Sequence, residues 1–188
     1  ENDALLAQLG LPKNARTRFK PWYIAVSLVQ LAASDSGYDL ARSAESALLS
    51  RIGDAPLLGL ESLDGQLRLM DTLPPAAQDA MLRDTLARLN DAVAELKRLV
   101  DAWRAADRSE LVAISRQGLD EIPSLGAFYD RLLKDRNHNW VRELRAMIED
   151  PERKHETIFV AVGALHLVGE DGLEKLFAEA GYDVVRIH

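Results

Sequence analysis

His166 and Glu61 are the two residues of this sequence whose types and positions best suit chemistry. His166 follows the apolar run at 157–163 by three residues, and Glu61 comes directly after the apolar run at 57–60. An imidazole can bind a metal ion or move a proton, and a carboxylate can bind a metal, act as a base or hold a histidine in place. Each residue also has an ordinary explanation. His166 can be a loop histidine that hydrogen-bonds a main-chain group, and Glu61 can be an acid that favours a helix N-terminus.

Arg136 and Asn137 interrupt a helical pattern in the stretch KDRNHNW. A guanidinium offers a fork of donors to a carboxylate, a phosphate or a developing oxyanion. A solvated helix face with a partner four residues away explains the same arginine at least equally well. Gly163 precedes His166 by three residues and can allow a sharp turn or the close approach of a ligand. Without an H-E-x-x-H pair, a G-x-S-x-G elbow or a phosphate-binding glycine loop, no complete active site is visible.

The elements that must position these residues are mostly helices. Apolar periodicity and capping signals predict them over 1–10, 20–34, 40–53, 82–103, 108–121, 122–150 and 169–181. Short runs rich in apolar and β-branched residues predict three strands, at 57–60, 157–163 and 182–187. The last two strands, with a helix between them, suit a right-handed parallel crossover. We therefore expect an α/β fold: one mostly helical domain over 1–188 with a small, largely parallel sheet of about three strands.

The composition is that of an ordinary globular protein, with 47% hydrophobic and 28% charged residues among 188. The formal net charge of -7 argues against broad nucleic-acid binding. Because the sequence has no cysteine, it excludes disulfides and cysteine-based metal sites. No apolar run approaches the length of a membrane span. The N-terminus has neither an initiator Met nor a signal-peptide pattern.

Four segments of the chain occur in the order seen in the TraB/GumN family: KPWYIAVSL, GLESLDGQLRLMDTLPPAAQ, DRNHNWVRELRAMI and FVAVGALHLVGEDGLEKLFAEAGYDVVRI. The chain resembles this family over nearly its whole length. Through it, the chain is similar to the Tiki metalloproteases and, more distantly, to the erythromycin-esterase and ChaN-like proteins. The residues that match family motifs are Gly163 to His166 for the later G-x-x-H, Arg136, Asn137 and Trp140 for R-N-x-x-W, and Leu60, Glu61 and Gln66 for L-E before a Q.

The resemblance implies that the intact protein is a metal-dependent, peptidase-like hydrolase in the periplasm or cell envelope. It implies that His166 binds a divalent metal ion or acts beside it, and that Glu61 is a ligand, a base or a supporting carboxylate. It also implies that Arg136 stabilises negative charge on the attacked carbonyl, with Gly163 and Asn137 in supporting roles.

The family's earlier G-x-x-H, and the strand with an acidic end that follows it, are missing from this sequence. We therefore expect the C-terminal part of a family member that lacks roughly the first third, with an incomplete sheet and weak metal binding. As a fragment, it is expected to be inactive or impaired.

Two further interpretations stay open beside a hydrolase of peptides or small molecules. The chain is alternatively a non-catalytic module that binds or sequesters a peptide, in which Arg136 clamps a carboxylate and metal is irrelevant. In the other interpretation, a different chain or a second copy of this one supplies the missing strands. An exposed sheet edge would favour that interpretation.

Overall fold

The structure is a computed structural model that describes residues 18–39, 43–117, 126 and 128–187. The chain divides into two compact units, Glu1–Val100 and Asp101–His188. The expectation of a single domain over 1–188 stays a prediction. The helix predicted over 1–10 lies outside the described residues.

The helices of the first unit are α1 (Pro21–Asp35), α2 (Ala44–Leu49), α3 (Leu63–Asp71), α4 (Pro75–Arg88) and α5 (Ala92–Arg104), which continues past Val100. Prolines begin α1 and α4, where the first N–H of a helix has no partner within the helix. Helix α1 packs on α4, and its Ile24 and Leu28 form a core with Leu82, Leu86 and Leu89. The continuous helix predicted over 82–103 is divided by a 3₁₀ turn at Leu89–Asp91.

The second unit contains α6 (Arg108–Arg116), a π-helical turn (Asp130–Lys134), α7 (Asp135–Ile148), a 3₁₀ turn (Ala164–His166) and α8 (Leu173–Glu179). Helix α7 packs on α8, and α6 contacts the 3₁₀ turn. The residues that α7 buries recur at helical spacing along one face: Asn137, Trp140, Val141 and Leu144. This face places an asparagine and a tryptophan one turn apart in the interior.

The predicted α/β fold with a small parallel sheet is wrong, because the described residues contain no strand and no sheet. The segments 57–60, 157–163 and 182–187 have no regular structure, and among the described residues no main-chain hydrogen bond joins them. A strand requires a second strand to pair its N–H and C=O groups, and β-branched composition cannot reveal whether one is present. Their apolar side chains remain largely in solvent: Leu57 is 65% exposed, Phe159 78% and Val185 73%.

The helices in the described ranges include none that is long and apolar enough to cross a membrane.

Candidate functional site

His166 ends the 3₁₀ turn of the second unit and is buried, with 8% of its surface exposed. Its main-chain N–H donates to the Gly163 carbonyl at 2.9 Å, which closes the turn. A buried imidazole needs hydrogen-bond partners for its polar atoms. The side chain that provides one comes from helix α7.

Asn137 is the side chain that holds His166 in place, and it is almost completely buried, at 1% exposure. Its Oδ1 lies 2.6 Å from the Nδ1 of His166. Its Nδ2 donates to the main-chain carbonyls of His166, at 3.2 Å, and of Asp171, at 2.7 Å. One amide thus bonds the ring, the main chain behind the ring and the far end of the loop that follows.

Trp140 packs against the same imidazole, with 4.4 Å between the ring centroids and a 43° angle between the planes. The guanidinium carbon of Arg136 lies 4.8 Å from the Trp140 ring centroid, a cation–π contact. Arg136 also donates from Nη1 to the Leu132 carbonyl at 3.0 Å. Among the described residues, the buried indole N–H of Trp140 has no hydrogen-bond partner.

These four residues, Arg136, Asn137, Trp140 and His166, form what we call the histidine cluster. Arg136, Asn137 and His166 are candidates predicted from the sequence. Trp140 was predicted only as a motif residue, and its contact with the imidazole was not predicted. The three-residue spacing of Asn137 and Trp140 is the signal that could have found it, because this spacing puts both side chains on one helix face.

Gly163 adopts φ −60° and ψ 141°, a conformation open to any residue, so the turn itself does not require glycine. A Cβ atom added there would lie 3.7 Å from Cδ2 of His166, which is ordinary contact. Gly172 is different: a Cβ there would come within 2.7 Å of the carbonyl oxygens of Leu167 and Val168. The glycine that the packing requires is therefore Gly172, which sequence reasoning did not single out.

Glu61 belongs to the first unit and is half-buried. It precedes Ser62, the N-cap residue of α3, whose Oγ accepts from the Gly65 N–H at 3.0 Å. The acid in the first turn of α3 is Asp64, paired with Arg68 at 2.7 Å. Glu61 is thus outside the helix, while the other predicted site residues all lie in the second unit.

Charged pairs surround the loop that follows His166. Lys134 lies 3.8 Å from Asp171, and Arg108 pairs with Glu174. Lys175 hydrogen-bonds Glu170 and so lowers the pKa of that carboxyl group. These pairs are exposed or half-exposed, and such pairs contribute about 0–1 kcal/mol each. The geometry of the loop therefore depends mainly on Asn137.

A metal centre is not complete within the described residues, among which no three His, Asp or Glu side chains come together to hold an ion. His166 does fit the role of one ligand. Histidines that bind metals are typically oriented by a hydrogen bond at the other ring nitrogen, and Asn137 makes that bond. Metal sites usually need three or four protein ligands, so the cluster amounts to one part of a site.

A separate groove of about 590 Å³ lies in the second unit. Its lining includes Leu144 and Met147 of α7, Phe177 of α8, and Val160 and Val184 of the irregular segments. Neither His166 nor Arg136 is among the described residues that line it.

Comparison with known proteins finds a match to a family model described as the TraB/PrgY/gumN family, over residues 2–186. An uncharacterized protein of Treponema pallidum (strain Nichols) is 25% identical over 184 residues, which cover 92% of this chain and 54% of that protein. The uncharacterized protein YbaP of Escherichia coli (strain K12) is 28% identical over 158 residues, 82% of this chain and 55% of that protein. The chain therefore spans about half the length of these curated relatives. No solved structure matches it.

Proposed function

Because the chain belongs to the TraB/PrgY/gumN family, we propose that it carries one part of the active site of a metal-dependent hydrolase acting on peptides or small molecules. The observation that carries this proposal is the 2.6 Å contact between Nδ1 of the buried His166 and Oδ1 of Asn137. Histidines that bind metal ions are typically oriented by a hydrogen bond of this kind at one ring nitrogen.

In this proposal, four residues of the chain have separate roles. His166 binds the divalent ion or acts beside it, and Asn137 keeps the ring in one orientation. The resemblance gives Glu61, in the first unit, the role of a ligand, a base or a supporting carboxylate. Arg136, whose Nη1 donates to the Leu132 carbonyl, offers its positive charge to negative charge on the substrate. A divalent ion held by these residues would supply Lewis acidity, which polarises a carbonyl and lowers the pKa of bound water.

Metal binding by the purified chain is the first test. Titration with Co²⁺, followed by its visible absorption, should give weak binding that His166→Ala removes. The matched control is His155→Ala, since His155 lies exposed in a charged turn. Equal loss of binding in both variants, or none in either, would count against His166 as a ligand.

Hydrolysis is the second test, on the full-length natural protein that carries this chain. We expect cleavage of a peptide mixture that a chelator abolishes and added divalent metal restores. Glu61→Gln and His166→Ala should each lower kcat by at least about 100-fold, the scale of an acid–base or ligand role. Cleavage that resists both the chelator and these substitutions would reject the proposal.

A second candidate function is peptide binding without cleavage, which the groove of about 590 Å³ favours because its size suits a short apolar segment. In this case a fluorescent peptide would bind in the presence of chelator and to the His166→Ala variant alike. A substitution in the groove, Val160→Glu, would weaken that binding. If peptide binding is instead lost with chelator and in the His166→Ala variant, the hydrolase is the better explanation.

A further inference from the structure

Two segments without regular structure contribute to the lining of the groove in the second unit, together with helices α7 and α8. The first is segment 157–163, which places alternate residues in the groove: Ile158, Val160 and Val162. The second is residues 182–187, which we call the strap, and its residues 182–185 line the groove. Because the strap forms part of the groove, access to the groove depends on how firmly the strap is held.

The strap begins at a fixed point. Gly181 follows α8 at φ 90°, a left-handed conformation that favours glycine, and its N–H donates to the Ala178 carbonyl at 3.0 Å. The N–H of Tyr182 donates to the Phe177 carbonyl at 3.1 Å. Beyond this point, no main-chain hydrogen bond to residues 183–187 is found within the described ranges. The strap is therefore held mainly through its side chains.

Two side-chain hydrogen bonds hold the strap. The Tyr182 hydroxyl donates to Oε1 of Glu149 at 2.7 Å, and Nη2 of Arg186 donates to the Ala106 carbonyl at 3.2 Å. Glu149, at the end of α7, is itself held by Arg145, whose Nε and Nη2 lie 3.1 and 3.0 Å from the same oxygen. The Tyr182 hydroxyl and Arg145 together keep the pKa of the Glu149 carboxyl below its ordinary value. The bond from Tyr182 is thus charge-assisted, and such bonds are stronger than neutral ones.

The acceptor of this bond lies outside the groove. Neither Glu149 nor Arg145 is among the described residues that line it, whereas Tyr182 is. The Tyr182 ring also packs edge-to-face on Phe177, with 5.4 Å between the ring centroids, and this contact does not involve the hydroxyl. The hydroxyl can therefore be removed, or its acceptor changed, without removing an apolar side chain from the groove.

We propose that residues 182–187 are a strap whose opening admits a ligand to the groove, and that the hydrogen bond from Tyr182 to Glu149 is its latch. Tyr182 is then a positioning residue: its hydroxyl keeps the strap closed and does not act on the ligand. That the ligand is an apolar peptide segment rests on the proposed function, in its peptide-binding form. The latch and the opening of the strap do not depend on it.

Thiol labelling measures access to the groove, because the sequence has no cysteine and a single introduced thiol is the one that reacts. Val162→Cys places a thiol in the groove. Its labelling by a maleimide should become about 2- to 3-fold faster when Tyr182→Phe or Glu149→Ala is added, the weak end of the range for one hydrogen bond. The matched controls are Phe159→Cys, at a position that is 78% exposed, and Val168→Cys, at a buried position outside the described lining. Neither control rate should change.

Each outcome of the labelling decides about the latch. An unchanged rate at Val162→Cys in both backgrounds would overturn it, and an equal rise at Val168→Cys would show a general loosening of the unit instead. Glu149→Gln keeps an acceptor and should label more slowly than Glu149→Ala. Because Tyr182 and Glu149 act through one bond, the double variant should label no faster than either single variant. Additive increases would reject the pair as a latch.

Peptide binding then separates the strap from the proposed function. The association rate constant of a fluorescent apolar peptide should rise by the same factor, about 2- to 3-fold, in Tyr182→Phe and in Glu149→Ala. Faster labelling of the groove thiol with no peptide binding at all would refute the peptide-binding function and leave the latch intact. Peptide binding with one association rate in the unmodified chain and in both variants would refute the control of ligand entry by the strap.

Discussion

Two neighbouring stretches of the second unit, both apolar in sequence, have opposite environments. The exposed segment, residues 157–163, leaves Phe159 78% and Val160 38% exposed. The buried turn, residues 164–173, keeps His166, Val168 and Leu173 each below 9% exposure. The more polar of the two stretches is thus the better buried.

The difference lies in what helix α7 offers to each stretch. Asn137 gives the buried turn hydrogen bonds at both ends, and Trp140 covers its imidazole. Burying a polar group without such bonds costs several kcal/mol, and burying it with them costs little. Within the described residues, the main-chain hydrogen bond given for the exposed segment is the one at its end, from the His166 N–H to the Gly163 carbonyl. The contacts of Asn137 and Trp140 therefore explain how the more polar stretch can be buried.

Trp140→Ala should have the largest effect, because it removes the ring that covers His166 and leaves a cavity in the buried turn. Trp140 is only 5% exposed, and substitutions of this type cost about 3–5 kcal/mol. Urea unfolding followed by circular dichroism would measure the loss. Trp103→Ala is the matched control, since Trp103 is 55% exposed. Similar losses at the two positions would remove the contrast between buried and exposed sites.

Gly172→Ala should have the next largest effect, about 1–3 kcal/mol of destabilisation, since its Cβ would meet two main-chain carbonyl oxygens at 2.7 Å. Gly163→Ala should instead leave stability unchanged or raise it by about 0.4–1 kcal/mol, because the main chain there suits alanine. Thermal unfolding of the two variants compares them directly.

Metal titration adds a second readout for this glycine pair. The Gly163→Ala protein should fold normally but bind Co²⁺ more weakly, because its methyl group would lie 3.7 Å from Cδ2 of His166, the ring atom bonded to Nε2. If Gly163→Ala proves the more destabilising of the two, then Gly163, and not Gly172, is the glycine that the packing requires.

Much of the site could be predicted from the sequence, because its elements are local. Helical periodicity predicted most of α1, the end of α4, most of α5 and all of α7, and the polar residues within that periodicity identified Arg136 and Asn137. The position of His166 after an apolar run indicated a turn, and the structure has one. These features depend on residues within one or two helical turns of each other.

The rest depends on partners distant in the chain, which periodicity cannot supply. The bonds from Asn137 to residues 166 and 171 cross about thirty positions, and no spacing rule predicts them. The three predicted strands failed for the same reason: a strand is defined by a neighbour that the described residues do not provide. The requirement for glycine at Gly172 likewise comes from carbonyl groups of the loop before it.

Phe159→Ser should have the smallest effect and tests the exposed half of the comparison. A side chain that is 78% exposed loses little when it is shortened, and such surface changes stay within about 0.5 kcal/mol. Leu173→Ala, in the buried turn, should cost about 2–5 kcal/mol in the same urea titration. A loss above about 2 kcal/mol for Phe159→Ser would mean that something covers the segment in solution. Sedimentation at several protein concentrations would then separate a second copy of the chain, whose contribution rises with concentration, from a contact within one chain, whose contribution does not.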